Sequence, residues 1–407
     1  MLQKAPTAVR RRLTPRQTLV LGAATALGPL SIDLYLPAFP ELAAELGASE
    51  AAVQLTLTAC VLGLALGQLV AGPVSDAVGR RVPIAVGLGA WSVASFACAL
   101  APSITTFTAL RFAQGLAGAA GVVVARAVVR DLSSGPELVR AFSRLMLVVG
   151  VVPILAPTLG GLLLERTSWR GLFVVLGVLG AAFCLVVVVG LRESLPPARR
   201  RSGVRRALGS YRVLLTDRSF LGAAAVVSLT FAALFVYVSS SSFVLREVFG
   251  LSPAQFGLLF GVNSAGLVIG NQVSGALANR WPAAVMLPRA IGLGAAAALL
   301  VLVAGLTGAF GVVGVVVPLF VIVFAVGAAM PVASSRAMNA HPERAGAASA
   351  LLGVLQFAVG GALAPLVGLT GSTSVLPLAV LMAACLVASL AVLLLTRRRT
   401  VLTPAAA

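Results

Sequence analysis

Twelve stretches of this 407-residue chain are each long and apolar enough to cross a bilayer, which excludes almost every soluble fold. About 20 consecutive apolar residues cover the hydrocarbon core as a helix. Such runs lie near residues 18–39, 53–75, 82–101, 104–127, 143–164 and 171–191, then near 219–242, 254–277, 286–307, 310–333, 346–369 and 373–395. In hydrocarbon the backbone must satisfy its own polar groups, so continuous runs of this length mean helices. A β-barrel would show short alternating segments instead. Charged residues are only 10% of the chain, against about 25% in soluble domains. The expectation is an all-α membrane protein of twelve transmembrane helices. The first run, after MLQKAPTAVRRRLTPRQ, is too long for a signal-peptide core and reads as an uncleaved first span.

The net charge of +18 would suit nucleic-acid binding, but its distribution gives it another meaning. Placing the N-terminus in the cytosol puts 26 of the 30 Lys and Arg residues in cytoplasmic segments. Arg166, Arg170 and Arg246 fall outside, and Arg111 falls within a span. This bias sets orientation, with both termini cytoplasmic in a multi-pass protein of the cell membrane. Contact with anionic lipid is expected, and no nucleic acid. Cys60, Cys98, Cys184 and Cys385 all lie in spans without CxxC spacing, which suggests small core fillers.

The chain also reads as a duplication. GLALGQLVAGPVSD (63–76) aligns with GLVIGNQVSGALAN (266–279), so that Gly63, Leu64, Gly67 and Gly72 recur 203 residues later. Gln68 and Asp76 become Asn271 and Asn279 in the same register. The expected plan is a segment 1–17, a six-helix bundle 18–191, a basic linker 192–218, a second bundle 219–395 and a tail 396–407. Two such bundles with a site between them near the midplane form a transporter plan.

Inside the spans, charge is almost absent. Among twelve acidic residues only Asp33 lies well within a run, and among the basic ones only Arg111. At about 1.5 Å per residue, Asp33 is roughly 9 Å from Phe39 at the outer end of span one, and Arg111 roughly 10 Å from Ile104 at the outer end of span four. Equal depth predicts an ion pair. A purely structural pair is one reading; the other is a proton relay, since intramembrane ionisable residues usually mark a pathway. Pro29, Pro37 and Pro40 are expected to break the helix around Asp33.

GPVSDAVGRR (72–81) closes the second span, with Gly72 permitting close helix approach, Gly79 a turn, and Asp76, Arg80 and Arg81 supplying charge. It is either a conformational latch or an ordinary basic turn. This stretch resembles the signature loop of the major facilitator superfamily, keeping Gly72, Asp76, Gly79, Arg80 and Arg81 but departing at Val74, Ser75 and Ala77. SIDLYLPAFP (31–40) and LRFAQGLAGAAG (110–121) are similar to the Bcr/CflA branch of drug:proton antiporters. In the fifth span, GVVPILAPTLGG (150–161) carries Pro153, Pro157, Gly160 and Gly161 where drug antiporters have a Gly-Pro motif; Ala156 replaces its glycine.

The resemblance implies two pseudo-symmetric six-helix bundles and proton-coupled efflux, by alternating access, of small amphipathic drugs such as chloramphenicol- or bicyclomycin-like antibiotics. Asp33 and Arg111 would couple protons, and the 72–81 loop and fifth-span prolines and glycines would gate. Polar or aromatic residues at span-centre depth are the candidate cavity wall: Tyr35, Gln54, Gln68, Gln114, Phe231, Phe235, Asn263, Asn271 and Gln356. Interhelical packing is the alternative for each. Import of a sugar or organic acid stays open, as does a membrane-embedded enzyme. Lys4 is the only lysine, so no Walker-A loop exists, and the single His341 offers no metal cluster. The energy source would be the proton gradient, with no cofactor and no metal, and a monomer is expected.

Overall fold

A computed structural model describes residues 15–133, 135–200, 204–278, 280–339, 344–369 and 374–402. Lys4, the arginines at 10–12, Asn279 and His341 fall outside the described residues. The first half comprises α1 (Pro15–Asp33), a short α2 (Phe39–Glu45), α3 (Glu50–Val78), α4 (Arg81–Ala99), α5 (Ile104–Leu132), α6 (Gly135–Leu164) and α7 (Trp169–Gly190). A linker helix α8 (Val204–Thr216) follows. The second half comprises α9 (Arg218–Phe243), α10 (Pro253–Leu277), α11 (Ala283–Thr307), α12 (Gly311–Asn339), α13 (Ala345–Leu363), α14 (Pro365–Gly368) and α15 (Leu376–Leu402). Twelve spans result, α1 joining α2 as the first and α13 joining α14 as the eleventh. An even number leaves the 192–218 linker on one side, here the linker side, and the loops before α3, α5 and α10 on the far side.

Helix starts on the far side carry side-chain caps. Ser49 accepts from Ala52 N (3.3 Å), Ser103 from Thr106 N (3.3 Å), and Ser252 forms a capping box with Gln255. These occupy amide donors that the first helical turn leaves without partners. The first span breaks where SIDLYLPAFP suggested: α1 runs through Pro29 and stops at Asp33, and a 3₁₀ turn at Leu36–Ala38 leads into α2.

The duplication has a packing basis. Span two lies on span four and span eight on span ten as the closest helix pair of each half. A Cβ at Gly63 would collide with the Phe112 carbonyl oxygen, and one at Gly67 with that of Leu116. In the copy, Gly266 faces Phe320 and a Cβ at Gly270 would collide with the Phe324 carbonyl. The repeated glycines therefore set backbone contact between the same two spans twice. Gly72 is different: a Cβ there would meet only the Val123 side chain at 3.6 Å, and one at Gly275 nothing. The expected close approach at Gly72 is not made, because α3 and α5 have diverged by that depth.

Two seams join the halves, α3 with α13 and α6 with α10. Thr58 donates to Gly361 O (3.1 Å) and Gln54 Nε2 to Ser240 Oγ (3.3 Å). On the other seam Thr158 donates to Gly257 O (3.0 Å), while Gly161 and Gly257 admit the carbonyls of Pro253 and Pro157. Above them the Arg246 guanidinium clasps both oxygens of Glu41 (2.5 and 2.6 Å) and the Pro37 carbonyl. Phe39 packs on Phe243 at 5.8 Å. The far side is closed.

Candidate functional site

Asp33 lies just beneath that closure. It ends α1, is 6% exposed, and among the described residues has no hydrogen bond or ion pair. The next residue, Leu34, lends its carbonyl to the notch at Gly160 of α6. From the second half Tyr237 of α9 stands within electrostatic reach of the Asp33 carboxylate. Tyr237 accepts from Asn263 Nδ2 (3.1 Å) and stacks on Phe260 at 5.2 Å, which fixes the phenol. Among the described residues the Asn263 Oδ1 has no partner. The Asp33 carboxylate of the first half and the Tyr237 phenol of the second, itself held by Asn263, thus lie within electrostatic range of each other beneath the closure.

The expected Asp33–Arg111 ion pair is absent. Arg111 Nη2 donates to the Ser31 carbonyl (2.6 Å), and Nη1 donates to Gln114 Oε1. The guanidinium lies 4.3 Å over the Tyr35 ring and 5.4 Å from the Phe173 ring. Gln114 Nε2 continues to Ser95 Oγ (2.7 Å), and Trp91 Nε1 to Ser31 Oγ (2.8 Å). Depth matched, but azimuth did not. Ser31 and Asp33 are two residues apart, about 200° around a helix of 3.6 residues per turn. Ser31 faces α4 and α5; Asp33 faces away from them. Arg111 is accommodated without a carboxylate by carbonyl acceptors and aromatic faces.

Tyr35 and Gln114 move with this finding. Tyr35 bonds Thr56 (3.1 Å) under Arg111, and both residues are wholly buried inside the first half, so neither lines a cavity in this state. Gln54 is buried at the junction of the halves, and Asn263 is buried within the second half against Tyr237. Phe231 and Phe235 stack at 5.8 Å, with Phe357 edge-on to Phe231 at 5.1 Å and Gln356 half-buried beside it in sequence. Gln68 is half-buried on α3 and Asn271 exposed on α10, a depth removed from Asp33.

At the linker side the 72–81 loop forms a charge cluster within the first half. Arg80 pairs with Asp76 (2.6 Å) and Asp131 (2.9 Å) and donates to Ser75 Oγ (2.7 Å). Glu193, at the start of the linker, accepts from the amides of Arg80 (2.9 and 3.0 Å), Arg81 (3.2 Å) and Leu195 (2.9 Å). Arg81 reaches the Val188 carbonyl (2.5 Å). Gly79 has φ +106°, and a Cβ there would sit 2.5 Å from Glu193 Oε2, so both conformation and space demand glycine. Burial works against the Arg80 charge, but the hydrogen bonds from Asp131 and Asp76 outweigh it and hold the guanidinium protonated. Partial burial likewise opposes the Glu193 carboxylate; the amides of Arg80, Leu195 and Arg81 prevail and depress its pKa.

Pro153 and Pro157 lie inside α6, which continues through both. Pro157 and Gly161 lie on the α6–α10 seam, whereas Gly160 faces the Leu34 carbonyl of the first span. Sequence reasoning missed Tyr237, Asp131, Glu193 and the Glu41–Arg246 clasp. Only Tyr237 carried a signal, as one of three tyrosines and the only one in the spans of the second half.

Residues 21–365 match the family model described as Major Facilitator Superfamily. The chain is 39% identical over 384 residues to a Bacillus subtilis protein named uncharacterized MFS-type transporter YdgK, covering 93% of this chain and 95% of that one. It is 33% identical over 391 residues to a bicyclomycin resistance protein homolog of Haemophilus influenzae, covering 93% and 96%. A D-xylose-proton symporter structure superposes with a TM-score of 0.73 at 13% identity, over 92% of this chain and 96% of that one, a likeness of fold alone.

Proposed function

Since the chain belongs to the major facilitator superfamily and is a multi-pass membrane transporter, we propose that it exports small amphipathic drugs in exchange for protons. The linker side is cytoplasmic in this reading, by the excess of arginine there. The observation that carries the proposal is Asp33, a buried carboxylate within a span, without a side-chain partner among the described residues and within electrostatic reach of Tyr237 in the second half. An ionised carboxylate without a partner is costly in such a place, so its proton state and the opening of the halves are linked. Loaded from outside, the proton permits the inward-open form; released inward, it leaves a charge that drug binding and reorientation then answer. Tyr237 and Asn263 give the carboxylate and the drug polar partners from the second half, and the Phe231, Phe235 and Phe357 cluster offers an apolar wall. The name of the Haemophilus relative supports an antibiotic as cargo. No cofactor takes part, and the protein works as a monomer in the cell membrane.

The test is purified protein in liposomes carrying an internal pH dye, with chloramphenicol and bicyclomycin as probes. Antiport predicts drug-dependent proton movement and uphill drug transport under an imposed pH gradient. Sugar- or acid-driven proton uptake with no response to either drug would favour import and reject export.

A further inference from the structure

The second half contains a cleft that the transport reading does not use. It has a volume of about 560 Å³ and opens among α9, α11, α12 and α15 at their linker-side ends. Arg218 opens α9 and Arg336 lies in the last turn of α12; both line the cleft, both are exposed, and among the described residues neither has a hydrogen bond or ion pair. The nearest acid in sequence, Asp217, is engaged in capping α9 through Ser219 N (2.8 Å). The remaining lining is apolar, including Val226, Leu287, Leu393 and Leu395. Helix α15 packs mainly against α9 and α11, and Leu395 is 63% exposed, so the cleft borders the surface that meets hydrocarbon.

We propose that this cleft binds an anionic phospholipid of the linker-side leaflet, its phosphate between Arg218 and Arg336 and an acyl chain along Leu287, Leu393 and Leu395. Two uncompensated arginines at the headgroup level above an apolar slot complement such a lipid in charge and in polarity. A zwitterionic lipid would fill the slot but gain little from the arginines. A drug would use the slot without needing the phosphate. The site is independent of Asp33, so its failure would leave the transport reading untouched.

The experiment is native mass spectrometry of the delipidated full chain titrated with dioleoyl phosphatidylglycerol or dioleoyl phosphatidylcholine, with inorganic phosphate and chloramphenicol as competitors. Phosphatidylglycerol should be retained at roughly ten-fold lower concentration than phosphatidylcholine, about 1.4 kcal/mol of preference. The double variant Arg218→Gln/Arg336→Gln should erase that preference, whereas Arg130→Gln, exposed in the first half, should keep it. Ala333→Phe, which fills the cleft, should weaken both lipids together. If that variant does not fold, the two exposed arginines still decide the matter. Equal retention of both lipids, an unchanged preference in the double variant, or complete displacement by inorganic phosphate or chloramphenicol would overturn the proposal.

Discussion

Arg111 and Asp33 are the base and the acid that the sequence sets well inside the spans, two residues apart in where they meet α1, and their surroundings are opposite. Arg111 is wrapped: a backbone carbonyl, an amide oxygen and two aromatic faces surround a side chain with no accessible surface. Among the described residues the Asp33 side chain has no partner, and Tyr237 of the other half lies within electrostatic reach of it. A group held within one half by both its terminal nitrogens, even with its Nε left without a partner among the described residues, ties that half together. A group left unsatisfied at the boundary between halves has a free energy that changes when the boundary moves, which is what coupling requires. Under the proposed antiport, the difference gives Asp33 the proton and leaves Arg111 to hold the first half together around it.

The sharpest way to break this contrast is Arg111→Ala. It leaves the Ser31 carbonyl and Gln114 without their donor and opens a cavity beneath Tyr35, at a cost of about 3 kcal/mol. Thermal unfolding in detergent should show a large fall in Tm; an unchanged Tm would mean the wrapping contributes nothing. Next comes the far-side closure. Glu41→Gln removes the anion that Arg246 clasps, so cysteine crosslinking between the far ends of α2 and α9 should drop, by a population shift of about 1 kcal/mol. Unchanged crosslinking would place the closure elsewhere.

The linker-side cluster should have smaller effects. Asp76→Asn keeps a hydrogen-bond partner for Arg80 but removes one of its two carboxylate charges, so drug efflux should slow several-fold while expression holds, about 1 kcal/mol on the barrier. Normal kinetics would make the loop a plain turn. The smallest effect is on pH. Glu193 has a depressed pKa, so its hold on the Arg80 and Arg81 amides is fully present above the ordinary Glu value of 4.5 and is lost as pH falls through the lower, folded value. Protection of the Arg80 and Arg81 amides from hydrogen exchange should fall in that acid range, and Glu193→Gln should flatten the dependence. A Glu193→Gln profile that still follows the wild type would remove Glu193 from the loop.

Much of the architecture was legible because membrane spans impose long-range order on short-range pattern. Twelve apolar runs gave twelve spans, and Gly63, Gly67, Gly266 and Gly270 disclosed a repeated helix contact 203 residues apart. Depth was legible too, since it follows from counting residues. Direction around the helix was not used, and it is what separated Asp33 from Arg111. Contacts between halves were harder. Gln54 with Ser240 and Glu41 with Arg246 are each about 200 residues apart, and no local periodicity links them. The cation of Asp76 was ambiguous in sequence because Arg80 and Arg81 are adjacent; the left-handed turn at Gly79 decides for Arg80 by folding it back over α3.

The central claim is that Asp33 carries the proton. Its most direct test is the drug-evoked proton release of purified protein in weakly buffered detergent, using a drug that the liposome assay has shown to be carried. Wild type should release protons on binding drug. Asp33→Asn, folded with a Tm close to wild type, should bind and release none. Proton release of wild-type size from Asp33→Asn would contradict the account and return Asp33 to a structural role.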